Sequence, residues 1–227
     1  MYKVLAIFKP NPRSRLSVLF TECSQFLDEV KGKNVMEIGV GSGAITHDVL
    51  KRDAKFVLGT EISEAFFTEA KLNLAHFNDV KKRVEIVLTE GDIAIPDGIS
   101  ILDESDAKFE LVFWNPPQQP QPEGEYAGLD GELWIRKFLD AFDDLLVASG
   151  ALYVTVTEMI DISKLEADYS DKLSFERVLE KNLPIFDELK LDEGNLLKDY
   201  INSLRQLRAE SKLGDTLYGA LIRVTKK

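Results

Sequence analysis

One cysteine and two histidines in 227 residues leave little material for a disulfide or for nitrogen- and sulfur-rich metal chemistry. Cys23 has no second cysteine to bridge, and with only His47 and His76 beside it the usual zinc sites cannot be assembled. A metal would have to rest on carboxylates, and none is expected. Long apolar runs are missing too: no stretch approaches the roughly 18 residues of a membrane span, so no membrane partner is expected. Positive charge is in short supply, with 28 Lys and Arg against 39 Asp and Glu for a net charge of −11. Such a surface repels a polyanion unless a basic stripe overrides it, and the basic residues are dispersed among more numerous acids, so nucleic acid is a disfavoured partner. The first residues have a short apolar run, Val4 to Phe8, without a small-residue cleavage site, which makes a reducing cytoplasm the expected location.

What is present is a rhythm. Apolar strand-like runs alternate with helical stretches through the first half, the βαβα pattern of an α/β sheet wound on both faces. Leu16 to Val30 carries apolar residues at 16, 19, 20, 23, 26, 27 and 30, a helical stripe ended by Gly32. Strands are expected at 34–38, 56–59, 84–88, 109–113 and 151–157, with helices at 44–52, 63–77 and 132–147. Beyond Glu158 the pattern turns to charged helical stretches at 161–182 and 193–210 around a strand at 185–191, before a final strand at 216–225. No linker separates a second unit. The expectation is one domain over 1–227: an N-terminal segment and helix at 1–32 covering the site, a core at 33–157, and a helical flap with edge strands at 158–227.

Four motifs fall at the ends of strands. Glu37-Ile-Gly39-Val-Gly41-Ser-Gly43 closes the first strand and opens a helix, where glycines let the backbone approach a ligand and the helix start favours negative groups. The spacing departs from the dinucleotide fingerprint, with Ala44 where its third glycine would fall. Glu61 stands at the tip of the second strand, 22 residues after Gly39, either to accept the hydroxyls of a ribose or as a solvated acid at a helix start. Asp92, after the third strand, is either an acceptor for an exocyclic amine or a turn residue. The fourth motif is Trp114-Asn115-Pro116-Pro117-Gln118, where two prolines fix a loop so that the Asn115 side chain and the Pro116 carbonyl address one spot. Four of the eight prolines lie between 115 and 131, marking a long loop of the kind that is functional or disordered.

This order of motifs resembles the class I S-adenosylmethionine-dependent methyltransferases, in particular the amino-methylating group with an N-P-P-aromatic loop. Phe8 to Leu16, with Pro12, Arg13 and Ser14, is similar to the stretch before the first helix of release-factor glutamine methyltransferases and their RNA-methylating relatives, so the likeness runs over about 7–157. It implies a Rossmann-like, doubly wound, seven-stranded mostly parallel sheet with an antiparallel last strand and a helical insertion near the C-terminus. It implies S-adenosyl-L-methionine as cofactor, held by Glu37, Gly39, Gly41 and Gly43 at its methionine part, by Glu61 with Ile62 at the ribose, and by Asp92 with Ile93 at the adenine. Asn115 and Pro116 would hold the accepted nitrogen as the catalytic pair, Asn115 also touching the cofactor.

Gln118 departs from the pattern, since the relatives carry there an aromatic ring that stacks on a planar group. Either Trp114, Tyr126 or Trp134 replaces the ring, or the acceptor is an amine, amino acid or guanidinium of a small molecule, with a protein or peptide side chain next. Pro117, Gln118, Trp114, Tyr126, Asp130 and Arg13 would then line the acceptor side. Asp130 is equally a cap for the helix at 132, and the acidic stretch at 161–210 is a lid or a solvated face. Base methylation of RNA or DNA, and an inert cofactor-binding partner subunit, are the alternatives.

Overall fold

The computed structural model describes residues 16–81, 84–88, 108–116, 132–158, 160–184 and 216–227. They form one seven-stranded sheet in the order β3-β2-β1-β4-β5-β7-β6. The strands are β1 (Asn34–Ile38), β2 (Phe56–Glu61), β3 (Val84–Leu88), β4 (Phe109–Trp114), β5 (Leu146–Thr157), β6 (Leu173–Pro184) and β7 (Thr216–Lys226). The first five run parallel, and β7 lies antiparallel between β5 and β6. This is the doubly wound sheet with an antiparallel last strand expected from the resemblance. Winding reverses between the neighbours β1 and β4, and the crevice outside their carboxyl ends is where ligands of such sheets sit.

Helices cover both faces. One face carries α1 (Ser17–Glu22), α2 (Ser24–Glu29), α3 (Ala44–Lys51) and α4 (Glu64–Lys81); the other carries α5 (Leu133–Asp140), α6 (Phe142–Leu145) and α7 (Ile162–Asp168). Because both faces are covered, β1 and β4 are nearly continuous apolar runs, and Val35, Met36, Leu111, Val112 and Phe113 are fully buried. Gly59 in β2 keeps one layer thin: a Cβ there would run into Val40 and, at 2.7 Å, Ile86.

Three expected elements are redrawn. The stripe from Leu16 to Val30 is buried as expected, but the helix breaks at Cys23, whose extended backbone (φ −81°, ψ 102°) separates α1 from α2. The break lets Phe20 and Phe26 meet edge-to-face at 5.2 Å and both reach the Phe113 ring, at 5.9 and 5.3 Å. The helix expected over 132–147 ends at Leu145, and Leu146 opens β5. The charged stretch at 161–182 is helical only over Ile162–Asp168, and Leu173–Pro184 is an edge strand. Its register shifts between Arg177 and Leu179, where the strand's alternation of faces is interrupted. The expected strand at 185–191 and helix at 193–210 lie outside the described residues.

A charged cluster ties the N-terminal helices to the sheet. Glu29 at the end of α2 accepts hydrogen bonds from Tyr153 Oη at 2.6 Å and from Arg223 Nε and Nη2 at 2.9 and 3.0 Å. Burial pushes the Glu29 pKa up, but the bonds from Arg223 and Tyr153 and the charges of Arg223 and Lys33 outweigh it and bring it to about 2. On the other face Glu132, just before α5, accepts two bonds from Arg136, which also pairs with Asp168 of α7 at 2.8 Å.

Candidate functional site

Parallel pairing brings the ends of β1, β2, β4 and β5 to one edge of the sheet, and with them the loop 39–43, Glu61, Asn115 and Thr155. The loop is built on positive φ. Gly39, Gly41 and Gly43 sit at +69°, +56° and +83°, and Gly43 serves as N-cap of α3 with its Cα facing Leu74, where a Cβ would come within 3.0 Å. At Gly39 and Gly41 a Cβ would meet nothing within 4 Å among the described residues, so the backbone there is open to that extent.

Three contacts from other elements hold this loop. Val40 N–H donates to the Thr60 carbonyl at 2.9 Å, Gly41 N–H donates to Glu61 Oε2 at 2.8 Å, and Asn73 Nδ2 on α4 donates to the Ser42 carbonyl at 2.9 Å. The other Glu61 oxygen accepts from Ile62 N–H and Ser63 N–H, each at 2.9 Å. Glu61 is thus a buried carboxylate fixed by backbone donors at the tip of β2 rather than a solvated helix-start acid, and Ile62 beside it is 46% exposed.

Glu37 is fully enclosed beneath the loop and accepts a hydrogen bond from the Thr46 hydroxyl of α3. Burial, reinforced by the charge of Glu61 and only partly offset by the Thr46 bonds, raises its pKa to about 8. At neutral pH it is mostly an uncharged acid, poised to ionise beside a cation. At the end of β4, Asn115 is half-buried and Pro116 buried. The Asn115 side-chain oxygen accepts from Thr155 Oγ1 at 2.7 Å.

The structure therefore brings together Glu37, Gly39, Gly41, Gly43, Glu61, Ile62, Asn115 and Pro116. Trp114 is corrected: its ring is 2% exposed and packs on Phe138 at 6.0 Å, so it belongs to the core and not to the acceptor wall. Trp134, buried to the same degree under Lys137, cannot replace the stacking ring either. Asp92, Ile93, Pro117, Gln118, Tyr126, Asp130 and Arg13 lie outside the described residues. Thr46, Asn73 and Thr155 were not foreseen. Asn73 carried a signal, a polar residue inside the apolar stripe Ala70, Leu74 and Phe77 of α4; Thr46 and Thr155 are ordinary helix and strand residues in sequence.

No protein-family model matches the chain. Two curated proteins resemble part of it: one named as an N5-glutamine methyltransferase of Methanocaldococcus jannaschii, 29% identical over 138 residues, 56% of this chain and 64% of that protein. The other is a release factor glutamine methyltransferase of Fusobacterium nucleatum, 31% identical over 116 residues, 50% of this chain and 30% of that protein. The matched region thus falls short of two thirds of either relative's length. Among solved structures, the T. thermophilus 16S rRNA N2 methyltransferase RsmC, in complex with AdoMet and guanosine, superposes with a TM-score of 0.57 at 16% identity, over 98% of this chain and 45% of that one. The fold is a Rossmann-like α/β fold.

The residues at this edge fit an adenosyl cofactor. Among the described residues the space at Gly39 and Gly41 is open, Glu61 offers a fixed carboxylate at the tip of β2, an exposed Ile62 stands beside it, and an acid able to ionise lies beneath.

Proposed function

We propose that this chain is an S-adenosylmethionine-dependent N-methyltransferase acting on a side-chain nitrogen of a protein or peptide. The observation that carries the reading is the placement on one sheet edge of an open glycine loop, the fixed carboxylate of Glu61 and the Asn115-Pro116 turn. The two curated relatives, both named for glutamine methylation, favour a protein acceptor over the small molecule that Gln118 suggested. The net charge of −11 disfavours RNA or DNA, and the superposition on an RNA-directed enzyme is a likeness of fold.

When bound, the cofactor would supply a sulfonium methyl for in-line displacement by a nitrogen lone pair, the S–CH3 bond breaking to leave a neutral thioether as the N–CH3 bond forms and one N–H proton passing to solvent. The protein supplies position. Asn115 Oδ1 and the Pro116 carbonyl accept N–H bonds from the acceptor nitrogen, which aims its lone pair and stabilises the charge that builds on it as the new bond forms. Holding the reactants this way accounts for up to roughly 7–11 kcal/mol of barrier in favourable cases. Glu61 and the loop hold the nucleoside, and Glu37 gives up its proton to face a cationic group.

The test is incubation of the purified protein with S-adenosylmethionine and a glutamine-containing peptide, read by mass spectrometry against the same peptide carrying glutamate. One methyl on the glutamine nitrogen supports the reading. Cofactor turnover with RNA but not with peptide contradicts the acceptor, and no turnover on any nitrogen contradicts the activity.

A further inference from the structure

We propose that Thr155 is a positioning residue for transfer, setting the orientation of the Asn115 side-chain amide from the neighbouring strand; this rests on the reading of Asn115 as the acceptor-holding group. Trp114 of β4 pairs with Val154 of β5, so the next step of the register brings Asn115 beside Thr155. There the Thr155 hydroxyl donates to Asn115 Oδ1 at 2.7 Å. The two residues need each other for different reasons.

Asn115 sits where β4 has just ended, and the terminal torsion of an asparagine is broad, so the backbone alone does not say where its oxygen points. Thr155 is rigid. It is fully buried in the interior of β5, its β-branched side chain has few rotamers in a strand, and it pairs across to Leu221 of β7. It also shares its face of β5 with Tyr153, two residues back, whose hydroxyl is tied to Glu29. The donor is thus anchored in a fully buried stretch of the sheet, and its bond transmits that rigidity to a side chain at the sheet edge. A carbonyl oxygen has two lone pairs, so a bond from Thr155 fixes the amide plane without using up the oxygen's capacity to accept an N–H. A valine in its place keeps the shape and removes the donor.

The experiment compares wild type with Thr155→Val and Thr155→Ser. In side-chain amide NMR, the Asn115 NH2 signals of wild type and Thr155→Ser are expected to be ordered, and those of Thr155→Val broadened or averaged. In transfer from S-adenosylmethionine to the glutamine peptide, Thr155→Val is expected to lower kcat about 10- to 100-fold, with cofactor affinity within about two-fold, and Thr155→Ser to restore most of the rate. Should Thr155→Val fail to fold, Thr155→Ala carries the same expectations. An Asn115 amide as ordered in the variant as in wild type overturns the proposal, as does an unchanged kcat. If the underlying activity is misread, the wild type transfers no methyl while the amide still loosens in Thr155→Val; that outcome supports the positioning and overturns the function.

Discussion

The Gly41 amide donates to Glu61 Oε2 at 2.8 Å, which joins the glycine loop after β1 to the acidic tip of β2 through a single carboxylate. The two motifs are 20 residues apart and one strand over, and the bond makes the geometry of the loop depend on the residue expected to read the ribose. Replacing Glu61 therefore removes two things at once. Glu61→Ala is expected to weaken S-adenosylmethionine binding by roughly 10-fold or more and to lower stability by about 1–3 kcal/mol, because three backbone donors lose their acceptor. Calorimetric titration together with denaturant melts checks both; unchanged affinity would remove Glu61 from the cofactor site.

Asn115→Ala separates binding from chemistry. Cofactor affinity is expected to stay within a few-fold of wild type while methyl transfer falls by at least about 100-fold, since the amide acts on the acceptor nitrogen as charge builds. A mutant with most of its turnover would take Asn115 out of the mechanism.

Glu37 predicts a pH dependence of unusual sign for an acid. Its pKa is raised from the ordinary 4.5 to about 8 in the folded protein, so between those values the unfolded chain releases a proton that the native chain keeps. The stability this group contributes is full below pH 4.5 and is lost as pH rises through about 8. Relative to wild type, Glu37→Gln is expected to grow more stable across that window, measured by urea melts from pH 5 to 8.5. Binding a cation above Glu37 should also release up to roughly one proton near pH 7, seen as a buffer-dependent heat of titration that vanishes in Glu37→Gln. Equal heats in phosphate and Tris would contradict it.

Glu29 has the opposite sign. Its pKa is depressed to about 2, so the stability it contributes is present above 4.5 and disappears as pH falls through 2. Arg223→Met removes two of its donors, and acid melts of this variant should begin at higher pH than those of wild type. Identical acid transitions would show that the cluster does not hold α2 to the sheet.

How much of this could be read in the chain depended on whether the signal was local. β1, α3 and β3 announced themselves through apolar runs and the glycine trio, and the order of the motifs along the chain foretold a shared edge because parallel strands put all their carboxyl ends together. β6 did not, because a bulge between Arg177 and Leu179 breaks the period of two that would have marked it. The break at Cys23 has no local signal in the sequence; what accompanies it is tertiary, three phenylalanine rings converging from α1, α2 and β4. Trp114 was misplaced for a related reason. Adjacency to Asn115 suggested the site, but alternation along β4 turns the two to opposite faces, and the indole lies in the core with Phe138. Thr155 needed the register of β4 on β5, which shifts between Phe109 and Leu111 and so could not be counted from sequence.

The most direct test of the central claim is calorimetric titration of the purified protein with S-adenosylmethionine, S-adenosylhomocysteine and NAD in parallel. Micromolar binding of the two adenosyl ligands and none of NAD is expected, with affinity weakened roughly 10-fold or more in Glu61→Ala. A folded protein that binds NAD instead, or none of the three, would contradict it.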